Sequence, residues 1–265
     1  MKNIFIEGMQ GCGKTTLLRN LSQSLEGYHA YWEGDISPVE LAWCSYMTQE
    51  EYQKVIDKYA PLREEIVKNT KEEEGHQIVS YTRILAEDRS FYEYMEGFEI
   101  YNGRKSFQEF RDIIFKRFRA FRGEGNLFEC SFFQNILENL MLFYQLSEEE
   151  ILAFYQEAFS NLEQDKFLML YLHSENFEEN LLQIKKERVD EKGNEIWFEM
   201  MLRYLNDSPY GKEHPFREIE DMTAHFRRRL RMEERLIKEV LSGHCIVLKA
   251  KEYLLEEVVR DIKER

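Results

Sequence analysis

The sequence predicts an α/β protein, a three-layer fold in which a five-stranded parallel sheet is flanked by helices. Three observations carry this expectation. Five short apolar runs read as buried strands. Segments with helical spacing separate them, the alternation that builds parallel sheets. A glycine-laced stretch, "IEGMQGCGKTT" (6–16), bridges the first strand and the first helix.

The elements follow in order. "NIFIE" (3–7) is an apolar run ending before Gly8, and Leu17, Leu18, Leu21 and Leu25 then fall on one face at helical spacing from Lys14. "HAYWE" (29–33) is the second strand. Residues 46–125 exceed any ordinary crossover to the third, so they are expected to form a mostly helical insertion within a single domain spanning 1–265. Inside it "QIVSYTRI" (77–84) has strand character, and Asn102-Gly103 is a tight-turn signal. "SFQEFRDIIFKRFRAFR" (106–122) is a basic amphipathic helix carrying Arg111, Lys116, Arg117, Arg119 and Arg122. "NLFEC" (126–130), "KFLMLYL" (166–172) and "HCIVLKA" (244–250) complete the sheet.

Helix starts are marked by capping-box patterns at Thr48/Glu51, Ser90/Glu93, Ser106/Glu109, Ser131/Gln134 and Ser147/Glu150. The stripe Phe132, Phe133, Ile136, Leu137, Leu140, Met141 and Tyr144 has two readings, core or the seam of a homodimer. "RRRLR" (227–231), with Glu233 and Glu234 beside it, reads as a solvated, salt-bridged face.

Composition narrows the function. A net charge of −14 disfavours general nucleic-acid binding, which needs a basic footprint. Cys12, Cys44, Cys130 and Cys245 form no CxxC pair and have no zinc spacing, so they are expected to be reduced thiols. The opening "MKNIFIEG" lacks the apolar region of a signal peptide, and no apolar run approaches membrane length. The expectation is a cytoplasmic protein with no membrane partner.

Gly8, Gly13, Lys14 and Thr15 match G-x-x-x-x-G-K-[ST]. Glycines let the backbone approach a ligand and turn its N–H groups inward as an anion nest, and a helix starting at Lys14 adds its positive dipole end. The expected ligand is ATP with Mg²⁺, contacted by Gly8, Gly11, Cys12, Gly13, Lys14, Thr15 and Thr16. Lys14 would reach the β- and γ-phosphates, and the Thr15 hydroxyl would hold the metal. The guanine-reading N-K-x-D is absent, no apolar strand ends in Asp as an ABC or AAA-type ATPase requires, and "LSGH" (241–244) lacks the rest of an ABC signature.

"FIEGMQGCGKTT", "YWEGDISPVELAW" and "FECSFFQNILENLMLF", in that order, resemble the P-loop kinases of nucleosides and nucleotides. The likeness is to deoxynucleoside kinases and, at the loop itself, thymidylate kinases; it is weakest over 46–125. It implies the three-layer P-loop fold and transfer of the γ-phosphoryl group of ATP to a small acceptor: a nucleoside, for which Glu33 offers a base, or a nucleoside monophosphate, whose phosphate Arg111 to Arg122 could clamp. By this resemblance Glu33 matches the family's carboxylate that acts on the acceptor hydroxyl; the residues alone also allow a plain polar turn with Asp35 as the better-placed acid. Glu129 matches the family's glutamate after strand three and would hold Mg²⁺ together with Thr15, while Ser131 is equally a helix cap. Cys130 stands where the family has a phosphate-contacting arginine. The family's basic lid corresponds to 181–215, with Lys185, Lys186 and Arg188 as candidates to neutralise the transferring group and Gly193 as a point of motion; an ordinary solvated helix is the other reading. Two rival functions stay open: a nucleotide-binding regulator or weak ATPase, and a docking protein using the 132–144 stripe.

Overall fold

A computed structural model describes all residues, Met1–Arg265. The chain divides into two compact units, one formed by Met1–Ala30 with Arg122–Arg265 and the other by Tyr31–Phe121.

β1 (Asn3–Gly8), α1 (Lys14–Ser24) and β2 (His29–Tyr31) open the chain. The second unit then contributes β3 (Ser45–Thr48), α2 (Gln49–Lys58), α3 (Arg63–Lys68), β4 (Thr70–Glu73), β5 (His76–Val79), α4 (Ser90–Glu96) and α5 (Phe107–Ala120). The first unit resumes with β6 (Asn126–Glu129), α6 (Gln134–Glu138), which runs on as a π-helical turn at Asn139–Phe143, and α7 (Glu148–Ser160). It ends with β7 (Phe167–His173), α8 (Phe177–Glu187), α9 (Ile196–Asp207), α10 (Pro209–Glu213), α11 (Ile219–Glu239), β8 (Cys245–Lys249) and α12 (Leu255–Glu264).

The main sheet has the order β2-β6-β1-β7-β8. β1 pairs in parallel with β6 (Phe5 opposite Phe128) and with β7 (Phe5 opposite Met169), and β7 pairs in parallel with β8 (Leu170 opposite Ile246). Every β1 residue and all of β7 but His173 are buried, so both faces of the sheet are covered, as a three-layer α/β fold requires. Phe5 sits at the centre, its ring 4.8 Å from Phe128, 4.6 Å from Phe167 and 5.9 Å from Phe132. Each of the five apolar runs supplies one strand. β2 is shorter than expected and partly exposed, because it lies at the sheet edge with β6 as its one neighbour. Trp32 and Glu33 therefore stand in the turn after the strand rather than in it.

The second unit carries more strand than the one expected at 77–84. Its helices are joined by a three-stranded antiparallel sheet, β3-β5-β4, with Met47 opposite Gln77 and Lys71 opposite Ile78. The β4–β5 hairpin turns at Glu74-Gly75, both at positive φ (51° and 81°), the twist that a two-residue hairpin loop needs. "QIVSYTRI" splits between the end of β5 and a 3₁₀ turn at Tyr81–Arg83. Met47, Val55, Ile56, Ile66, Val79 and Phe91 form this unit's core.

Thr48, Ser106 and Ser147 close the expected capping boxes. Ser90 is instead the first residue of α4, its N–H and hydroxyl both bonded to Asp88. Ser131 caps nothing, because a buried carboxylate takes the N–H groups there. The 132–144 stripe is core: Phe132, Phe133, Ile136, Leu137, Leu140 and Met141 are buried within the chain, so they offer no seam to a partner. No helix is long and apolar enough to cross a membrane.

Candidate functional site

The loop after β1 is shaped by its glycines. A Cβ on Gly8 would lie 2.6 Å from the Leu172 carbonyl oxygen and 2.9 Å from Cys12 Sγ, so no side chain fits between β1 and β7 at this point. On Gly11 a Cβ would meet Ile184 Cδ1 at 2.7 Å, which lets α8 lie against the loop. α1 begins at Gly13 with no side-chain cap and no acidic residue in its first turn. Its leading N–H groups are thus left for an external acceptor, and the helix dipole favours an anion there.

Lys14, the first residue of α1, is buried, and its ammonium donates to the carbonyl oxygens of Gly8 (2.7 Å) and Met9 (3.1 Å). Thr15 donates its hydroxyl to Glu129 Oε1 at 2.5 Å. β1 and β6 are adjacent, with Ile6 opposite Glu129, so a loop and a strand end far apart in sequence bring these two oxygens together. A hydroxyl and a carboxylate are hard oxygen donors of the kind Mg²⁺ accepts when it shares its shell with phosphate and water. No cluster of three or more His, Cys, Asp or Glu side chains is arranged to hold a metal by itself.

Sequence reading missed Glu7. It is fully buried at the end of β1, and its carboxylate accepts from the N–H groups of Phe132 (2.7 Å), Phe133 (2.9 Å) and Gln134 (3.3 Å). It thereby does for the start of α6 what Ser131 was expected to do. Burial pushes its pKa up to about 7; the N–H groups of Phe133 and Phe132 pull the other way, Glu233 raises it and Lys14 lowers it. The one signal in the sequence is an acidic residue closing an otherwise apolar strand. Next to this turn, Cys130 adopts φ 55° and donates its N–H to Ile6 at 3.2 Å. It is buried, and a cysteine supplies no cation at this position.

A titration prediction follows from Glu7. A carboxyl whose pKa is raised by folding binds more protons folded than unfolded between about 4.5 and 7. Its favourable contribution is complete below about 4.5 and is lost as pH rises through 7, roughly 3 kcal/mol for so buried a group. Glu40 (about 8) and Glu99 (about 7), also raised mainly by burial, act in the same direction in the second unit. Urea unfolding from pH 5 to 8 should therefore show falling stability, and Glu7→Gln should flatten the slope for the first unit. A slope of the opposite sign would remove this account of Glu7.

Beneath the loop lies a second feature the sequence did not disclose. Arg229, expected on a solvated face, is fully buried. Its Nη1 donates to Glu138 (2.8 Å), its Nε to Glu233 (2.9 Å) and its Nη2 to the sulfur of Met9 (3.3 Å). Tyr171 donates to Glu233 at 2.6 Å, and His225 Nε2 lies 2.7 Å from Glu138. Its neighbours Arg227 and Arg228 do face outward, the first paired with Glu178 and the second over the Tyr210 ring.

Of the lid candidates, Lys185 is paired with Glu195 (3.2 Å) and lies 4.1 Å over the Phe198 ring. Lys186 and Arg188 are exposed at the end of α8. The 181–215 segment shares a core with the loop: Leu181, Ile184, Trp197, Phe198 and Leu205 cluster with Met9.

In the second unit Glu33 accepts from the Trp43 indole N–H at 3.2 Å. Asp35 accepts from the Trp32 N–H at 2.9 Å and pairs with Arg83, which holds the turn. The basic helix is in good part structural: Arg117 is buried against Glu73 and the Ser37 carbonyl, and Lys116 pairs with Glu74.

A cleft of about 380 Å³ opens beside the glycine loop, lined by Cys12, Gly13, Thr16 and Asn20 on one side and by Lys251, Tyr253 and Leu255 on the other. Its size suits a small organic ligand. No protein-family model matches this chain, and no curated protein matches it.

Proposed function

We propose that the chain is an ATP–Mg²⁺-dependent phosphotransferase of the P-loop kinase type, moving the γ-phosphoryl group to a small acceptor, a nucleoside in the first instance. One observation carries the reading: Lys14 and the Thr15–Glu129 pair stand together at the glycine loop, at the carboxyl ends of adjacent parallel strands. The main-chain amides of Gly8–Thr16 would cradle the phosphates, with the Lys14 ammonium on the β- and γ-phosphates. Thr15 and Glu129 would hold Mg²⁺, whose role when bound is to neutralise developing phosphoryl charge. The cleft beside Thr16 and Asn20 suits the nucleoside half of the donor. Glu33 is the residue proposed to take the proton of the acceptor hydroxyl, with Lys185, Lys186 and Arg188 as further charge for the transferring group. The free thiols fit a cytoplasmic setting.

A second reading, a nucleotide-binding regulator or weak ATPase, draws on Cys130, which supplies no cation where the resemblance expects an arginine, and on the engagement of Lys185 with Glu195. A nucleoside monophosphate kinase draws on Arg111 to Arg122 as a clamp for an acceptor phosphate.

Incubation with γ-labelled ATP and a panel of nucleosides, nucleoside monophosphates and small alcohols separates these. Labelled acceptor supports the kinase and names its substrate. Label in free phosphate alone points to the ATPase, and binding without either points to the regulator. Glu33→Gln should lower transfer on the order of 10²- to 10⁴-fold while nucleotide affinity holds; unchanged transfer would end the base assignment.

A further inference from the structure

The resemblance places the extra phosphate-binding charge at Cys130 and in the lid, yet a cysteine supplies no cation and Lys185 is paired with Glu195. The cleft beside the loop carries one cation from elsewhere. Lys251, in the turn between β8 and α12, lines that cleft together with Cys12, Gly13 and Thr16. It forms no ion pair: its ammonium donates to the amide oxygen of Asn180 at 2.9 Å, whereas its neighbour Lys249 is paired with Glu252. Asn180 is fixed from its other end by its N–H to Ser174 Oγ at 2.9 Å. Asn180 also abuts the glycine loop, since a Cβ built on Gly11 would lie 3.5 Å from Asn180 Cβ. The ammonium is thus parked on a neutral hydrogen-bond acceptor next to the loop tip. Lys251 takes a backbone φ of 64°, uncommon for a residue with a side chain.

A neutral amide is a weak partner for an ammonium compared with a phosphate oxygen. Exchanging one for the other breaks no ion pair and uncovers no buried charge. A lysine is a flexible point charge with three donors, suited to such an exchange. We propose that Lys251 is a second phosphate-binding cation of the glycine loop, leaving Asn180 to contact the phosphate chain of the bound nucleotide. The inference rests on the nucleotide-binding reading above, and it adds a cation to those proposed for the lid.

The test is calorimetric titration of the full chain, with Mg²⁺, using ATP, ADP, AMP, adenosine and inorganic tripolyphosphate. Lys251→Asn removes the charge while keeping a residue that tolerates φ 64°, and Lys251→Arg keeps the charge. Matched thermal melts confirm that both variants fold. The expected result is a graded loss in Lys251→Asn: on the order of 10- to 100-fold for ATP and tripolyphosphate, less for ADP and none for adenosine. Lys251→Arg should recover most of it, and added salt should narrow the difference. Equal weakening of adenosine, or unchanged ATP affinity, would overturn the assignment while leaving the loop's role intact. Failure of the unmodified chain to bind any of the five ligands would instead overturn the nucleotide reading, and this inference with it.

Discussion

Lys14→Ala should abolish measurable nucleotide binding, lowering affinity for Mg²⁺–ATP by at least about 100-fold. The side chain is buried, and its ammonium is the one charge held inside the loop by main-chain oxygens, those of Gly8 and Met9. Hydrogen bonds to a charged group contribute about 1.5–3 kcal/mol each, and a lysine spanning the β- and γ-phosphates makes more than one. Alanine also leaves the two carbonyl groups without their donor, so the loop loses shape as well as charge. Lys14→Met separates lost volume from lost charge and hydrogen bonding. Like alanine it removes the ammonium and its two hydrogen bonds, but it fills much of the same volume, so it should bind ATP as poorly as alanine while unfolding at a temperature nearer the original. Calorimetry and thermal melts on both variants make the comparison. Affinity retained in either variant would remove the basis of the proposed function.

How much of this was legible beforehand depends on whether the signal was local. The sheet was legible because its three central strands, β6, β1 and β7, are buried on both faces and read as near-continuous apolar runs. β2 ended early because an edge strand has half the neighbours and no apolar pattern to hold its last residues. β4, "TKEE", gave no sign of itself: it is a mostly exposed charged strand, made a strand by its pairing with β5. The glycine loop was legible as a motif, and its pairing of Thr15 with Glu129 followed from strand adjacency. Glu7, Arg229 and Lys251 were not, for a common reason. Each is defined by a partner more than fifty residues away, on Phe132 and Phe133, on Glu138 and Met9, or on Asn180. "RRRLR" illustrates the ambiguity: one helical stretch turns Arg227 to the surface and, two residues on, Arg229 to the interior.

That interior arginine carries the largest stability effect expected here. Arg229→Ala should destabilise the first unit by about 3–5 kcal/mol, the usual cost of removing one partner from a buried ion pair. Two buried carboxylates would lose their counter-charge at once, and stabilities of whole domains are only about 5–15 kcal/mol. Burial alone would raise the pKa of Glu138; His225 and Arg229 more than reverse this and hold it at about 2. A depressed carboxylate contributes stability that is present above about 4.5 and lost as pH falls toward 2. In Arg229→Ala that acid-side loss should shrink in part, because one of the two groups that depress Glu138 has gone while His225 remains. The acid limb of the urea-unfolding profile is therefore a readout that a mere packing defect would not move. A triple replacement, Arg229→Met with Glu138→Gln and Glu233→Gln, removes all three charges together and should recover much of the loss, since the penalty comes from stranded charge rather than from the missing side chain. Met9 ties this to function: its sulfur rests on the guanidinium and its carbonyl holds Lys14, so the triple variant should regain stability before it regains nucleotide affinity. If Arg229→Ala unfolds within about 1 kcal/mol of the original chain, the network is not what supports the floor of the loop.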